Sequence, residues 1–190
     1  MEAKKLPTID DWLAGNGDDR AELIEGDIVY KALPSAEHSF SALKMGEGLG
    51  PFNRTKGGAG GPGGWWIGVE AHVLYEGRPN GFIHDLAGWR RDRHAQRPKG
   101  NRISAQPNWV CEILSSNRRD DLVKKKRVLH EHRVEHYWLV DVRDSVLTAM
   151  RWVEGGYLIV HEATAEDVAR VEPFEEVEID VGVLLGQKES

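Results

Sequence analysis

The fold class follows from two apolar stretches, Trp109-Val-Cys-Glu-Ile-Leu114 and Val134-Glu-His-Tyr-Trp-Leu-Val-Asp141, and from the segment between them. Both stretches have the length and composition of β-strands. The intervening segment, from residue 120 or 121 to about 132, has the apolar periodicity of a helix. Because only this helix falls cleanly between two long apolar strands, we expect an α/β fold with a central mixed sheet flanked by few helices, not a doubly wound sheet.

Further strands are predicted on both sides of this unit. Residues 22–30 read as two short strands around a turn at Gly26-Asp27, because a Gly-Asp pair between apolar residues is typical of a hairpin. Longer apolar segments give the remaining strands, which we place at 65–75, 82–89, 146–153 and 157–161.

Two other helices are expected in the N-terminal part of the chain. Residues 8–15 form a short predicted helix, with a threonine as N-cap and a glycine as stop signal. Residues 36–49 follow a Pro-Ser pair and are compatible with a helix that buries Phe40, Leu43 and Met45.

The composition is that of one globular domain. A length of 190 residues with 40% hydrophobic residues fits a single domain over 1–190, whose informative motifs lie at about 20–185. The one cysteine, Cys111, excludes a disulfide framework and a thiolate zinc site. Residues 1–12 lack the apolar core of a signal peptide, and no apolar run approaches the roughly 20 residues that span a bilayer. We therefore expect a cytoplasmic protein with no membrane partner.

Positive charge is concentrated in one part of an otherwise acidic chain. The formal net charge is -6, but residues 90–133 carry 13 Lys and Arg against five Asp and Glu, and the remainder carries 12 against 26. A nucleic-acid backbone responds to local potential rather than to the global charge. This distribution therefore leaves two interpretations open, a phosphate-binding surface or a pair of solvated basic faces.

Two carboxylates interrupt apolar strands, and they are the first candidates for chemistry. Glu112 lies within Trp-Val-Cys-Glu-Ile-Leu and Asp85 within Phe-Ile-His-Asp-Leu-Ala. A buried charge is costly unless it is paired or binds a metal, and hard cations such as Mg²⁺ prefer carboxylate oxygen. If the two strands are adjacent, both acids can converge on one divalent ion. The alternative is that Glu112 faces solvent or pairs with an arginine.

A basic helical segment supplies the third candidate. Asp121 and Lys125 are four residues apart and share one face of the predicted helix. A lysine there could stabilise charge that develops on a phosphoryl group or hold the attacking water. Lys124 or Lys126 would take this role if the helix had a different phase, and the whole basic run could instead be a solvated face.

Six motifs in order resemble the Uma-type family of "putative restriction endonucleases", which belongs to the PD-(D/E)XK nuclease superfamily. The resemblance covers roughly residues 20–185. Each motif is loose, but the order and spacing of all six agree with the family pattern. They are Glu22-Leu-Ile-Glu-Gly26, His38 after Pro34-Ser35, His84-Asp85-Leu86, Glu112-Ile-Leu-Ser-Ser116, Asp121 with Lys125, and Val134 to Asp141.

The resemblance implies a restriction-endonuclease-like core and a set of roles. Asp85 and Glu112 would be metal ligands. Lys125 would be the catalytic lysine that other superfamily members carry two residues after the glutamate, where this chain has Leu114. Glu22, His38 and Asp121 would be auxiliary residues.

The chain departs from the family pattern at Asn117-Arg118, at Arg133 and at two histidines. His84 stands where the family usually has proline, and His136 stands where it usually has glutamate. Neither change removes a proposed catalytic side chain, but an imidazole at position 84 could bias the site towards softer ions.

The resemblance thus implies an endonuclease that uses Mg²⁺, or alternatively Mn²⁺, to hydrolyse phosphodiester bonds of DNA as a homodimer. A nucleic-acid-binding or regulatory module that has lost catalysis is the main alternative, and a self-associating protein is another. The predicted contacts to the DNA backbone are Arg90, Arg91, Arg118, Arg119 and Lys124.

Overall fold

The computed structural model describes residues 10–11, 20–56, 61–76, 80–114 and 119–188. Most of the helix predicted over 8–15, and the predicted DNA-contacting residue Arg118, lie outside the described residues. The elements that position the candidate site are β1 Ala21–Ile24, β2 Asp27–Tyr30, α1 Ala36–Gly48, β3 Trp65–Tyr75, β4 Asn80–Arg90, β5 Trp109–Ile113, a π-helical segment Asp120–Lys125 continued by α2 Lys126–Glu131, and β6 His136–Asp141. The chain continues with β7 Val146–Val153, β8 Gly156–Thr164, β9 Val168–Ala169, β10 Ile179–Asp180 and α3 Val181–Leu184.

Eight strands form one mixed sheet. Their order is β2-β1-β4-β5-β6-β7-β8, and β3 pairs with β4 outside this path. Among the described strands of this sheet, β5 and β6 are the one parallel pair, and the other neighbours are antiparallel. A parallel pair needs a crossover connection, which here contains the π-helical segment and α2. The predicted mixed sheet with few helices is confirmed.

Strand β4 is the centre of the sheet and carries Asp85. It pairs with β3 on one edge, and with β1 and β5 on the other. The β3–β4 ladder is interrupted opposite Asp85, where Glu70 has a positive φ of 47°. Phe82 and Leu86 consequently pack into different core layers, although an uninterrupted strand would direct both to one face. The antiparallel register with β5 sets Asp85 beside Glu112.

Aromatic side chains fill the core layer on one side of the sheet. The ring of Phe174 packs against Phe52, Trp65, Trp109 and Trp138, with centroid distances of 4.8, 5.1, 5.1 and 5.6 Å. These tryptophans therefore belong to the core. Such rings bury large apolar areas and anchor α1 and the C-terminal segment to the sheet.

Helix α1 forms as predicted, but the predicted buried face is partly wrong. Met45 is buried, whereas Phe40 and Leu43 are 64% and 56% exposed. The face turned inward carries His38 and Ser41 together with Met45. Polar contacts of His38 at the sheet, described below, hold the helix in this rotation. None of the helices within the described residues is long and apolar enough to cross a membrane.

Candidate active site

The acidic and basic residues singled out in the sequence meet in one buried cluster, between β1, β4 and β5 of the sheet, the start of α1 and the π-helical segment. Six of its eight members were predicted site residues. Their roles stay predictions, but their contacts show that residues from five of the six sequence motifs lie together in one cluster. The cluster consists of Glu22, Lys31, His38, His84, Asp85, Glu112, Asp121 and Lys125.

Asp85 is held by donors on both carboxylate oxygens. Its Oδ2 accepts from the Ile113 backbone N–H at 2.7 Å and lies 3.1 Å from His38 Nε2. Its Oδ1 accepts from Lys31 Nζ at 2.5 Å. The β4–β5 pairing directs the carboxylate at the backbone of β5, so the position of Asp85 is fixed by the sheet as well as by side chains.

Glu112 has one oxygen in a hydrogen-bond chain and one without a hydrogen bond. Its Oε1 lies 2.6 Å from His84 Nδ1, and His84 Nε2 lies 2.7 Å from the Tyr75 hydroxyl. If Glu112 is ionised, His84 donates from Nδ1 and accepts from Tyr75 at Nε2, which fixes the imidazole tautomer. Among the described residues, no donor makes a hydrogen bond to the buried Glu112 Oε2.

Lys125 joins the π-helical segment to the strands. Its Nζ lies 2.9 Å from Glu22 Oε1, 3.0 Å from Asp121 Oδ1 and 3.6 Å from Glu112 Oε1. The helix phase is therefore the predicted one. Lys124 instead pairs with Asp120 at 3.0 Å on a partly exposed face. π-helical turns are rare and occur often at functional sites.

Lys31 is the member of the cluster that sequence reasoning missed. It follows β2 directly, and its side chain is 11% exposed. Besides Asp85, its Nζ donates to the Ile83 carbonyl at 2.8 Å and lies 3.8 Å from Glu112 Oε2. No local pattern reveals this role, because a lysine after a short polar hairpin strand is typical of a solvated position.

The pKa values of the two central acids are driven apart. Burial raises the pKa of Glu112 to about 7, against the opposing effect of Lys125 and Lys31. Burial would also raise the pKa of Asp85, but the closer Lys31 ammonium and His38 hold it below its ordinary value. Two acids with separated pKa values in one site are a common feature of catalytic centres.

Burial shifts the pKa values of the other titratable members as well. It raises the pKa of Asp121 to about 6, and it lowers the pKa of His84 to about 3, with a further contribution from Lys125. The surrounding carboxylates keep the pKa values of Lys31 and Lys125 above the ordinary lysine value in spite of burial. The imidazole of His84 is therefore neutral, and both lysines are cationic.

The donor set at Asp85 and Glu112 fits a hard divalent ion, with part of the shell left to other ligands. Within the described ranges, no three His, Cys, Asp or Glu side chains form a complete metal-binding group. Mg²⁺, however, is usually bound by only one or two carboxylates, with water and phosphate as further ligands. Among the described residues, Glu112 Oε2 accepts no hydrogen bond, and the cluster contains four carboxylates and two ammonium groups. Both features are consistent with binding of an additional cation.

The most exposed side chains of the cluster are Lys31, Asp121 and His38, at 11, 10 and 9%. The side chains of Asp85 and Glu112 are each 1% exposed, so the site is closed rather than an open cleft. A pocket of about 420 Å³ lies next to His38 and is bordered also by Ala32, Leu33 and Leu114. A larger pocket of about 600 Å³ runs along β3, but none of the predicted catalytic residues lines it.

The predicted DNA-contacting residues lie on two separate parts of the surface. Arg90 ends β4, roughly 17 Å along the strand from Asp85, and Arg91 follows it. Their guanidinium groups lie over the rings of Trp65 and Trp66, 4.9 and 3.3 Å from the ring centroids. Lys124 and the exposed Arg119 lie on the helical segment. A contact with DNA stays a prediction for all of them.

Comparison with known proteins identifies similar chains. The sequence model of the Uma2 family, described as "Putative restriction endonuclease", matches residues 6–182. A crystal structure described as that of "a putative nuclease belonging to DUF820 from Anabaena variabilis ATCC 29413" is similar with a TM-score of 0.71 and 17% sequence identity. The similarity covers 95% of this chain and 98% of that chain, and at this identity it establishes the fold. No curated protein matches the chain.

Proposed function

The chain belongs to the Uma2 family, described as "Putative restriction endonuclease", and we propose that it is a metal-dependent endonuclease that hydrolyses phosphodiester bonds of DNA. We assign the reaction to the Asp85–Glu112 pair. The observation that carries this assignment is that a backbone N–H holds one oxygen of Asp85 and His84 holds one oxygen of Glu112, while the other two oxygens, Asp85 Oδ1 and Glu112 Oε2, both face the Lys31 ammonium.

In this proposal Asp85 and Glu112 hold Mg²⁺, or alternatively Mn²⁺. The bound ion supplies Lewis-acid polarisation of the phosphate and lowers the pKa of water. The Ile113 N–H holds Asp85, and His84 holds Glu112, so that both acids are oriented before the ion and substrate bind. Lys125 contributes positive charge 3.6 Å from Glu112, where it favours negative charge on a phosphoryl group.

The auxiliary residues act through these three. Glu22 and Asp121 fix the Lys125 ammonium at 2.9 and 3.0 Å, and Glu22 also accepts from the Ile83 N–H at 2.8 Å. His38 steadies Asp85 from the start of α1. We assign DNA as the substrate on the family description and on the concentration of positive charge in residues 90–133.

Cleavage of supercoiled plasmid DNA with Mg²⁺ or Mn²⁺ tests the proposal. Asp85→Asn and Glu112→Gln keep the shape of each side chain and should each lower the cleavage rate roughly 100-fold or more. Glu47→Gln is the matched control, because Glu47 makes only a surface pair with Lys44 and should cleave at the wild-type rate. A wild-type rate in either site variant, with an unchanged circular dichroism spectrum, would remove that residue from the mechanism.

One observation favours the second candidate, a nucleic-acid-binding module without catalysis. Lys31 already places a cation between the two proposed metal ligands. Titration of the wild-type protein with Mn²⁺ by calorimetry distinguishes the two functions. A protein that binds DNA but neither binds the ion nor cleaves would support the binding module, whereas metal binding with cleavage supports the endonuclease.

A further inference from the structure

Lys31 contacts both residues proposed as metal ligands. Its Nζ lies 2.5 Å from Asp85 Oδ1 and 3.8 Å from Glu112 Oε2, and it also donates to the Ile83 carbonyl. The side chain reaches this position from the end of β2, because the β1–β2 hairpin pairs with β4 beside the cluster. The ammonium therefore lies where the two carboxylates converge.

The other oxygen of each acid is committed to a different donor. Asp85 Oδ2 accepts from the Ile113 N–H, and Glu112 Oε1 is bonded to His84. Among the described residues, Asp85 Oδ1 has a hydrogen bond from Lys31 and Glu112 Oε2 has none, so these two oxygens are the most open to a divalent ion shared by the two acids. Those are the two oxygens that Lys31 faces, so the ammonium and the ion compete for the same ligands.

We propose that Lys31 is an internal counter-ion that competes with the divalent ion for Asp85 and Glu112 and so lowers the metal affinity of the site. The inference rests on the proposed metal-dependent function. A lysine can leave such a position readily, because its ammonium is a point charge on a flexible four-carbon stem. The pocket of about 420 Å³ is bordered by Ala32, which follows Lys31 in the chain, and by His38, which also contacts Asp85.

The first test is Mn²⁺ binding measured by calorimetry. Lys31→Met removes the competing charge and should bind Mn²⁺ roughly tenfold or more tightly than the wild type, the order expected from losing one charge-assisted hydrogen bond. Lys31→Arg keeps the charge and should stay near the wild-type affinity. Lys44→Met is the control, because Lys44 pairs with Glu47 on the surface and should not change the affinity.

The outcomes separate this inference from the proposed function. Equal Mn²⁺ affinity in wild type and Lys31→Met overturns the counter-ion role and leaves the metal-dependent function standing. If neither protein binds Mn²⁺, both the inference and the metal dependence are overturned. Binding by Lys31→Met alone supports the inference and favours the non-catalytic candidate for the natural chain.

A second measurement uses the wild-type protein and does not depend on a variant that folds. Reductive methylation followed by mass spectrometry reports the accessibility of each lysine amine. Addition of Mn²⁺ should increase the labelling rate of Lys31 and leave that of Lys44 unchanged. If Mn²⁺ binds while Lys31 stays as protected as before, the ion and the ammonium do not compete and the inference is wrong.

Discussion

Replacement of Lys125 by methionine is the substitution for which the structure predicts the largest effect on folding. The side chain is 2% exposed, and Nζ lies 2.9 Å from Glu22 and 3.0 Å from Asp121, with Glu112 at 3.6 Å. Methionine fills most of the same volume but leaves three buried acids without this counter-charge. Lys125 should therefore contribute to the stability of the fold as well as to the proposed chemistry.

The expected loss is about 3–5 kcal/mol, which is the usual cost of removing one partner of a buried ion pair. For a chain of this size, 1 kcal/mol shifts the melting temperature by about 2–4 °C, so Tm should fall by roughly 6–20 °C. The loss should be smaller at pH 5 than at pH 8. Burial raises the pKa of Glu112 to about 7 and of Asp121 to about 6, so on acidification both acids become neutral within the folded protein and no longer need the ammonium.

Urea unfolding followed by tryptophan fluorescence measures the effect, with Lys124→Met as the matched control. Lys124 is the preceding residue, but its pair with Asp120 is partly exposed and should contribute less than about 1 kcal/mol. The double variant Lys125→Met with Glu22→Gln should recover part of the loss, because one unpaired carboxylate is removed. A loss below about 1 kcal/mol in Lys125→Met at pH 8 would refute the reasoning, since it would mean that the ammonium is not needed to neutralise the buried acids.

Three further predictions concern other parts of the molecule. Burial and two nearby arginines lower the pKa of His136 to about 4. The free energy of unfolding should therefore fall by about 3 kcal/mol from this residue as the pH drops from 6.5 to 4. In urea unfolding, His136→Gln should abolish that part of the loss. Tyr75→Phe should weaken Mn²⁺ binding in calorimetry by roughly tenfold or more, because it removes the hydroxyl that orients His84 towards Glu112; an unchanged affinity would contradict the assigned tautomer. Phe174→Ala should lower the free energy of unfolding by about 3–5 kcal/mol, because four aromatic rings surround this side chain; a loss below about 1 kcal/mol would contradict that packing.

The fold was predictable because its main strands coincide with continuous apolar runs in the sequence. The apolar runs that became β5 and β6, and the single helical segment between them, were enough to predict a mixed sheet. The rotation of α1 was not predictable in the same way. Apolar periodicity placed Phe40 and Leu43 inside, but the helix turns His38 towards Asp85, and this polar contact involves residues 47 positions apart.

The candidate site was predictable to the extent that its residues broke a local rule. A carboxylate inside an apolar strand is unusual, which singled out Asp85 and Glu112. Lys31 and Tyr75 break no such rule, because a lysine after a hairpin strand and a tyrosine within a strand are ordinary. Lys31 reaches the cluster, and Tyr75 reaches His84, only when the β1–β2 hairpin and β3 pair with β4, which is a non-local consequence of the fold.

The two lysines of the cluster differ in how readily they can be exchanged for a divalent ion. Lys125 closely contacts two carboxylates and is 2% exposed, whereas Lys31 closely contacts one and is 11% exposed. Exchange of either ammonium for a divalent ion adds one positive charge to a cluster in which four carboxylates face two ammonium groups. Exchange at Lys125 would break two close ion pairs for that gain, whereas exchange at Lys31 would break one, at the more exposed of the two side chains. A divalent ion should therefore displace Lys31 and leave Lys125 paired with Glu22 and Asp121.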